Sequence, residues 1–130
     1  MTYHLTALVT ILSILFYLAT AVNVMQARHK FAIRAPATTG HPDFERAFRV
    51  QMNTQEWMMI FLPALWLFAI YISDTMAAGL GAIWIIGRIV FFIGYSKAAE
   101  KRELGLVIQL VASLLLLLGA LGAVVWRLVQ

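Results

Sequence analysis

Four long apolar runs restrict the fold of this chain more than any other feature. They cover Leu5–Met25, Trp57–Ile72, Met76–Ile93 and Leu104–Val125. Each is close to the roughly 20 residues that a helix needs to cross about 30 Å of hydrocarbon. Because 62% of the 130 residues are hydrophobic and only 12% are charged, the composition is that of a membrane protein. The sequence therefore predicts one all-α domain over residues 1–130, an integral membrane four-helix bundle.

Basic residues are concentrated in the first and third connections between the apolar runs. Arg28, Lys30 and Arg34 follow the first run, and the third connection contains Lys97, Lys101 and Arg102, whereas the second connection has no Lys or Arg. By the positive-inside rule, the basic connections are cytoplasmic and both termini lie on the opposite side. We expect these cations to meet anionic lipid head groups, with no nucleic-acid partner. Short connections and no retrieval motif favour a bacterial inner membrane over the endoplasmic reticulum.

A polar stripe precedes the second apolar run on the same predicted helix. At 100° per residue, Asn53 lies about 40° from Arg49, and Glu56 lies about 20° away on the other side. Charged groups at membrane depth are costly, so each is a candidate functional residue. Asp43, which directly follows Pro42, is the predicted N-cap of this helix.

The third predicted helix, Met76 to Ala99, carries an arginine inside its apolar run. Arg88 has two interpretations, a structural ion pair with Glu56 or a direct ligand contact, since buried charges are normally paired. Tyr95 lies seven residues later on the same face. Gly87 and Gly94 share a face too, which favours close helix packing.

The polar groups of the cytoplasmic half suit a small ligand with carboxylates, an amine and peptide bonds. Arginine forks bind carboxylates, a carboxylate binds an ammonium group, and side-chain amides pair with peptide groups. The chain has no cysteine, so any thiol must come from the ligand, where a nearby guanidinium would stabilise the reactive thiolate. No metal site is predicted. The set comprises Arg28, Arg49, Gln51, Asn53, Glu56, Arg88, Tyr95 and Arg102.

Two sequence patterns extend this interpretation. The segment FERAFRVQMNTQEW contains E-R-x-x-R-x-Q-x-N-x-x-E, and GRIVFFIGY contains R-x-x-x-F-x-G-Y, with KRE before the last apolar run. Together they resemble the MAPEG family, the membrane-associated proteins of eicosanoid and glutathione metabolism. The resemblance covers essentially the whole chain. It implies a homotrimer of four-helix protomers that binds glutathione as co-substrate between neighbouring subunits.

The resemblance also implies roles for individual residues. Arg102 matches the arginine that stabilises the glutathione thiolate and is the expected catalytic residue. Gln51 points about 160° away from the polar stripe, so its role makes better sense across a subunit boundary. The expected glutathione-binding residues are Arg28, Arg49, Gln51, Asn53, Glu56 and Tyr95, and Arg88, Trp57 and Phe91 are expected to support them.

Two positions depart from the family pattern. Trp57 and Phe91 stand where eicosanoid-forming members carry aromatic hydroxyls, which weakens the case for an eicosanoid substrate. Glu103 after Arg102 disfavours isomerase chemistry.

The sequence favours a detoxifying glutathione transferase that acts on hydrophobic electrophiles, with glutathione-dependent peroxidase activity on lipid hydroperoxides. The alternative is a noncatalytic lipid-binding protein like the five-lipoxygenase activating protein. A multidrug transporter is disfavoured because the first run has no Asp or Glu.

Overall fold

The chain is all-helical in the computed structural model, which describes residues 2–97 and 102–130. The four helices are α1 (His4–Phe31), α2 (Pro42–Tyr71), α3 (Asp74–Lys97) and α4 (Glu103–Leu128), with no strand among these residues. The predicted all-α class is confirmed. The predicted end of the third helix at Ala99 and the basic Lys101 lie outside the described residues.

Three of these helices, α1, α3 and α4, are long and apolar enough to cross a membrane. In the described part of the chain, α2 is not in this group because its first half carries the polar segment Phe44–Trp57. Its second half is apolar and continues to Tyr71. The prediction of a multi-span membrane protein is supported, and the side on which each terminus lies stays a prediction.

Helices α2 and α3 form the centre of the bundle. They pack against each other, and α1 and α4 each pack against both. The core between α2 and α3 contains the Phe61 and Trp84 rings, stacked with centroids 3.9 Å apart. Leu65 and Leu116 are fully buried beside them. Many Leu and Ile side chains of α1 and α4 remain exposed, which is expected of surfaces that face lipid or another subunit.

Helices α3 and α4 approach each other closely because glycines remove side chains from their contact. A Cβ atom at Gly105 would lie 2.2 Å from the backbone nitrogen of Phe91 and 2.7 Å from the Gly87 carbonyl oxygen. A Cβ atom at Gly87 would lie 2.7 Å from the backbone nitrogen of Gln109. The expected role of Gly87 in close packing is confirmed.

The N-terminus of α2 is capped by a residue that the sequence interpretation did not select. The N-cap is His41, whose Nδ1 atom accepts a hydrogen bond from the Asp43 backbone N–H at 3.1 Å. The prediction that Asp43 is the N-cap was wrong. Pro42 occupies the first helical position, where its missing N–H costs nothing and its fixed φ suits the helix. Asp43 instead pairs with Arg46.

Candidate functional site

A cleft of about 270 Å³ lies between α2, α3 and α4, where α3 ends and α4 begins. The close contact of α3 and α4 places the end of one helix against the start of the other. Five predicted site residues line this cleft, four expected ligand-binding or catalytic residues and Phe91, which was expected to support them, and an aliphatic side chain completes its walls. The lining residues are Arg49, Asn53, Phe91, Tyr95, Arg102 and Leu106.

Arg102 and Tyr95 lie together at the cleft. The Arg102 guanidinium carbon is 5.9 Å from the centroid of the Tyr95 ring, and that ring stacks on Phe91 with centroids 5.4 Å apart. Arg102 is exposed and occupies the N-cap position of α4. The positive end of the helix dipole and the guanidinium charge are therefore close together, and both favour an anion in the cleft.

Helix α2 presents its predicted polar stripe on one face. The Arg49 Nη2 atom lies 3.8 Å from the Glu56 Oε1 atom, and both side chains are more than half exposed. Such an exposed pair contributes little stability, so both charged groups remain available to a ligand. Arg49 and Asn53 reach the cleft, whereas Glu56 lies two helical turns beyond Arg49.

Arg88 is fully buried, with none of its surface exposed. Its Nη1 atom donates to Asn53 Oδ1 at 2.7 Å, and its Nη2 atom donates to Thr54 Oγ1 at 2.6 Å. The predicted ion pair with Glu56 was therefore wrong, because Glu56 is exposed and paired with Arg49. The buried Arg88 side chain is not among the residues that line the cleft.

Thr54 and Leu106 are the members of this region that sequence reasoning missed. Thr54 is buried and donates from its hydroxyl to the Val50 carbonyl oxygen at 2.7 Å while accepting from Arg88. The sequence offered one reason to select Thr54, which is its position next to Asn53 on a helix predicted to lie beside the arginine of α3. Leu106 carried no such signal, because it lies within an ordinary apolar run.

Arg28 and Gln51 do not line the same cleft. Arg28 donates to the Ala37 carbonyl oxygen at 2.8 Å, and its guanidinium carbon lies 4.9 Å from the Phe44 ring centroid. Gln51 donates from Nε2 to the Tyr17 hydroxyl of α1 at 3.5 Å. Within one chain, these two predicted glutathione ligands are separated from the other members of the set.

Trp57 and Phe91, the two departures from the family pattern, have different surroundings. Trp57 is half-buried against the apolar core. Phe91 is 3% exposed and forms a wall of the cleft. Across residues 2–97 and 102–130, no group of three or more His, Cys, Asp or Glu side chains could hold a metal ion.

Comparisons with known proteins agree with the resemblance noted in the sequence. The MAPEG family model matches residues 6–122. An uncharacterized protein of Synechocystis is 50% identical over 124 residues, which cover 95% of this chain and 90% of the relative. Human microsomal glutathione S-transferase 2 is 44% identical over 91% of this chain and 81% of its own length. Bovine leukotriene C4 synthase is 37% identical, over 75% of this chain and 65% of its own length.

Proposed function

This chain belongs to the MAPEG family, and we propose that it is a membrane-bound glutathione transferase. It conjugates the glutathione thiolate to hydrophobic electrophiles, and it reduces lipid hydroperoxides with glutathione as a second activity of the same site. The observation that carries this proposal is the cleft that joins Arg49, Asn53, Tyr95 and Arg102. The name of the human relative, a microsomal glutathione S-transferase, supports the same reaction class.

The chemical groups of the site match those of glutathione. Glutathione carries two carboxylates, an ammonium group, two peptide bonds and a thiol. Arg49 pairs with a carboxylate, Glu56 with the ammonium group, and Asn53 with a peptide or carboxylate group. The Tyr95 hydroxyl supplies a further hydrogen bond. Arg102, at the N-terminus of α4, is then the residue that contacts the sulfur.

Arg102 promotes the reaction by stabilising the thiolate, which is the nucleophilic form of the thiol. The thiolate sulfur attacks an electrophilic carbon, a carbon–sulfur bond forms, and the leaving group departs with its bonding electrons. With a hydroperoxide, the sulfur attacks the terminal oxygen, the oxygen–oxygen bond breaks, and the alkoxide leaves and takes a proton to become the alcohol. The attacking glutathione is now a sulfenic acid. A second glutathione then releases water and forms glutathione disulfide. The protein therefore increases the rate in two ways. It stabilises the negative charge of the thiolate, and it positions the thiolate against the second substrate.

We propose the homotrimer that the family resemblance implies, and a site shared between its protomers would account for the separation of Arg28 and Gln51 from the cleft. In this arrangement, the cleft of one protomer holds glutathione from one side, and Arg28 and Gln51 of a neighbouring copy complete the site. The electrophile enters from the bilayer, where apolar faces of α1 and α4 are exposed. We propose the bacterial inner membrane as the location.

The test is conjugation of glutathione to chlorodinitrobenzene by the purified protein. Arg102→Ala is expected to lower kcat by about 100-fold or more, because it removes the charge that stabilises the anion. It should also abolish the ultraviolet absorbance of the bound thiolate. Undiminished conjugation by this variant would show that Arg102 has another role.

Arg127→Ala provides a matched control. The Arg127 guanidinium carbon also lies 5.9 Å from a tyrosine ring centroid, that of Tyr71, but at the opposite end of the bundle. The control variant should conjugate glutathione at the wild-type rate. Calorimetry adds an independent readout, since a noncatalytic lipid-binding protein would bind no glutathione.

A further inference from the structure

A buried arginine supports the cleft from behind without reaching it. Arg88 lies next to two aromatic rings, with its guanidinium carbon 5.9 Å from the Trp84 centroid and 4.5 Å from the Phe91 centroid. Its Nη1 atom donates to Asn53 Oδ1 at 2.7 Å. Phe91 and Asn53 both line the cleft, so one buried side chain contacts two of its walls.

The contact with Arg88 determines which end of the Asn53 amide a ligand meets. A side-chain amide has one acceptor oxygen and one NH₂ donor, whereas arginine can only donate. The atom facing Arg88 must therefore be the oxygen, which removes the usual ambiguity of amide orientation. Because Oδ1 is occupied by Arg88, the Nδ2 donor is the group that Asn53 offers to the cleft.

A second hydrogen bond fixes the orientation of the guanidinium itself. Arg88 Nη2 donates to Thr54 Oγ1 at 2.6 Å, and the Thr54 hydroxyl donates in turn to the Val50 carbonyl oxygen at 2.7 Å. The planar fork of arginine thus binds adjacent residues of α2 at two points. Lysine, with a single nitrogen, could not hold both acceptors in this geometry.

We propose that Arg88 is a positioning residue that holds the Asn53 side chain with its Nδ2 donor toward the cleft. A donor at this position makes this part of the site selective for a carboxylate or carbonyl oxygen of glutathione. The inference rests on the proposed function. It also accounts for a buried charge in a membrane helix, which is costly to keep there. Among the described residues, no carboxylate forms an ion pair with Arg88.

The test measures binding of S-methylglutathione by calorimetry in detergent, because this ligand lacks the thiol on which Arg102 acts. Asn53→Asp replaces the donor with a negatively charged oxygen at the same position, so Kd should rise at least about tenfold. Arg88→Met keeps an apolar side chain of similar length but frees the Asn53 amide to rotate. We expect Kd to rise about tenfold for this variant as well.

Thr54→Val is the comparison variant, since it removes the contact that orients the guanidinium and leaves the Asn53 contact in place. Its Kd should rise by less than that of Arg88→Met, which loses both contacts. Arg88→Lys, which retains one donor for Oδ1, should bind more tightly than Arg88→Met. The inference is overturned if Asn53→Asp binds like wild type, or if Arg88→Met weakens binding no more than Thr54→Val.

A measurement without ligand separates this inference from the proposed function. In a double-mutant cycle of thermal unfolding, Arg88→Met and Asn53→Leu should be non-additive because the two side chains are in direct contact. If the cycle shows coupling but the wild-type protein binds no S-methylglutathione, the proposed function fails and the positioning of Asn53 stands. If wild type binds but the effects are additive, the positioning role fails and the proposed function stands.

Discussion

At the scale of single residues, glycines set the distance between α3 and α4 beneath the cleft. A side chain at Gly105 would meet the Phe91 backbone nitrogen at 2.2 Å and its Cα atom at 2.5 Å. Backbone atoms inside packed helices cannot move aside as the end of a flexible side chain can. Phe91 forms a wall of the cleft, and Leu106, the residue after Gly105, forms another. The shape of the site therefore depends on these missing side chains.

Gly105→Ala is expected to destabilise the protein by about 1–3 kcal/mol, the usual cost of overpacking a core. It should also weaken glutathione binding, because α3 and α4 must separate where they form the cleft. The measurements are thermal unfolding in detergent and calorimetric titration with glutathione.

Gly122→Ala is the control on the same helix, since an added Cβ there meets nothing within 4 Å. It should leave binding unchanged and stabilise the protein slightly, because alanine favours a helix over glycine by about 0.5–1 kcal/mol. Equal effects of the two substitutions would contradict the role of the helix contact at Gly105.

At the scale of elements, the first turn of α1 is capped by a residue from α3. The Asp74 carboxylate accepts hydrogen bonds from the backbone N–H groups of Thr6 at 2.9 Å and Leu5 at 3.3 Å. The first N–H groups of a helix have no partner within that helix, so this carboxylate fills a need of α1. Its negative charge also suits the positive end of the α1 dipole. The first residue of α3 thereby helps to fix how α1 and α3 align.

Asp74→Ala should lower the free energy of unfolding by about 1 kcal/mol, as the loss of a helix cap usually does. Asp74→Asn retains an acceptor oxygen without the charge, so its effect should be smaller. The neighbouring exposed Thr75→Ala should change stability by less than about 0.5 kcal/mol. Thermal unfolding of the three variants in detergent measures these differences, and an Asp74→Ala variant as stable as Thr75→Ala would argue against the cap.

At the scale of the whole molecule, the proposed glutathione ligands other than Glu56 form two separate groups. One group lines the cleft between α2, α3 and α4, including Asn53 and Arg102. The other comprises Arg28, which contacts the first connection, and Gln51, which contacts α1. We propose that the two groups meet at a boundary between two copies of the chain, and a closed ring of copies would build the same site at each boundary.

Subunit mixing tests this arrangement. Arg102→Ala and Gln51→Leu should each inactivate a homotrimer, because every site then lacks one component. Trimers that contain both variants can be isolated through two different affinity tags. In these trimers, about one third of the sites combine the cleft of a protomer that keeps Arg102 with a neighbouring protomer that keeps Gln51. Conjugation of chlorodinitrobenzene should therefore return to about one third of the wild-type rate.

The control for subunit mixing pairs Arg102→Ala with Asn53→Leu. Both residues line the cleft of one chain, so no mixed trimer contains an intact site and activity should stay absent. Recovery with this pair, or no recovery with the Gln51 pair, would contradict a site shared between protomers.

The sequence by itself determined the helical membrane architecture and the polar face of α2. Apolar runs near the length of a membrane span predict helices because each backbone polar group in lipid must be bonded within its own segment. The common face of Arg49, Asn53 and Glu56 follows from helical periodicity, which is a local property of the chain. Two members of this face, Arg49 and Asn53, line the cleft, where they meet Tyr95 and Arg102 from other helices.

Only the tertiary structure decided which side chains meet across helices. The rotation and depth of one helix against another depend on all of their contacts together, which periodicity within one helix does not specify. For this reason, the partners of Arg88 proved to be Asn53 and Thr54, not Glu56. The cap of α1 by Asp74 and the separation of Gln51 from the cleft were decided in the same way.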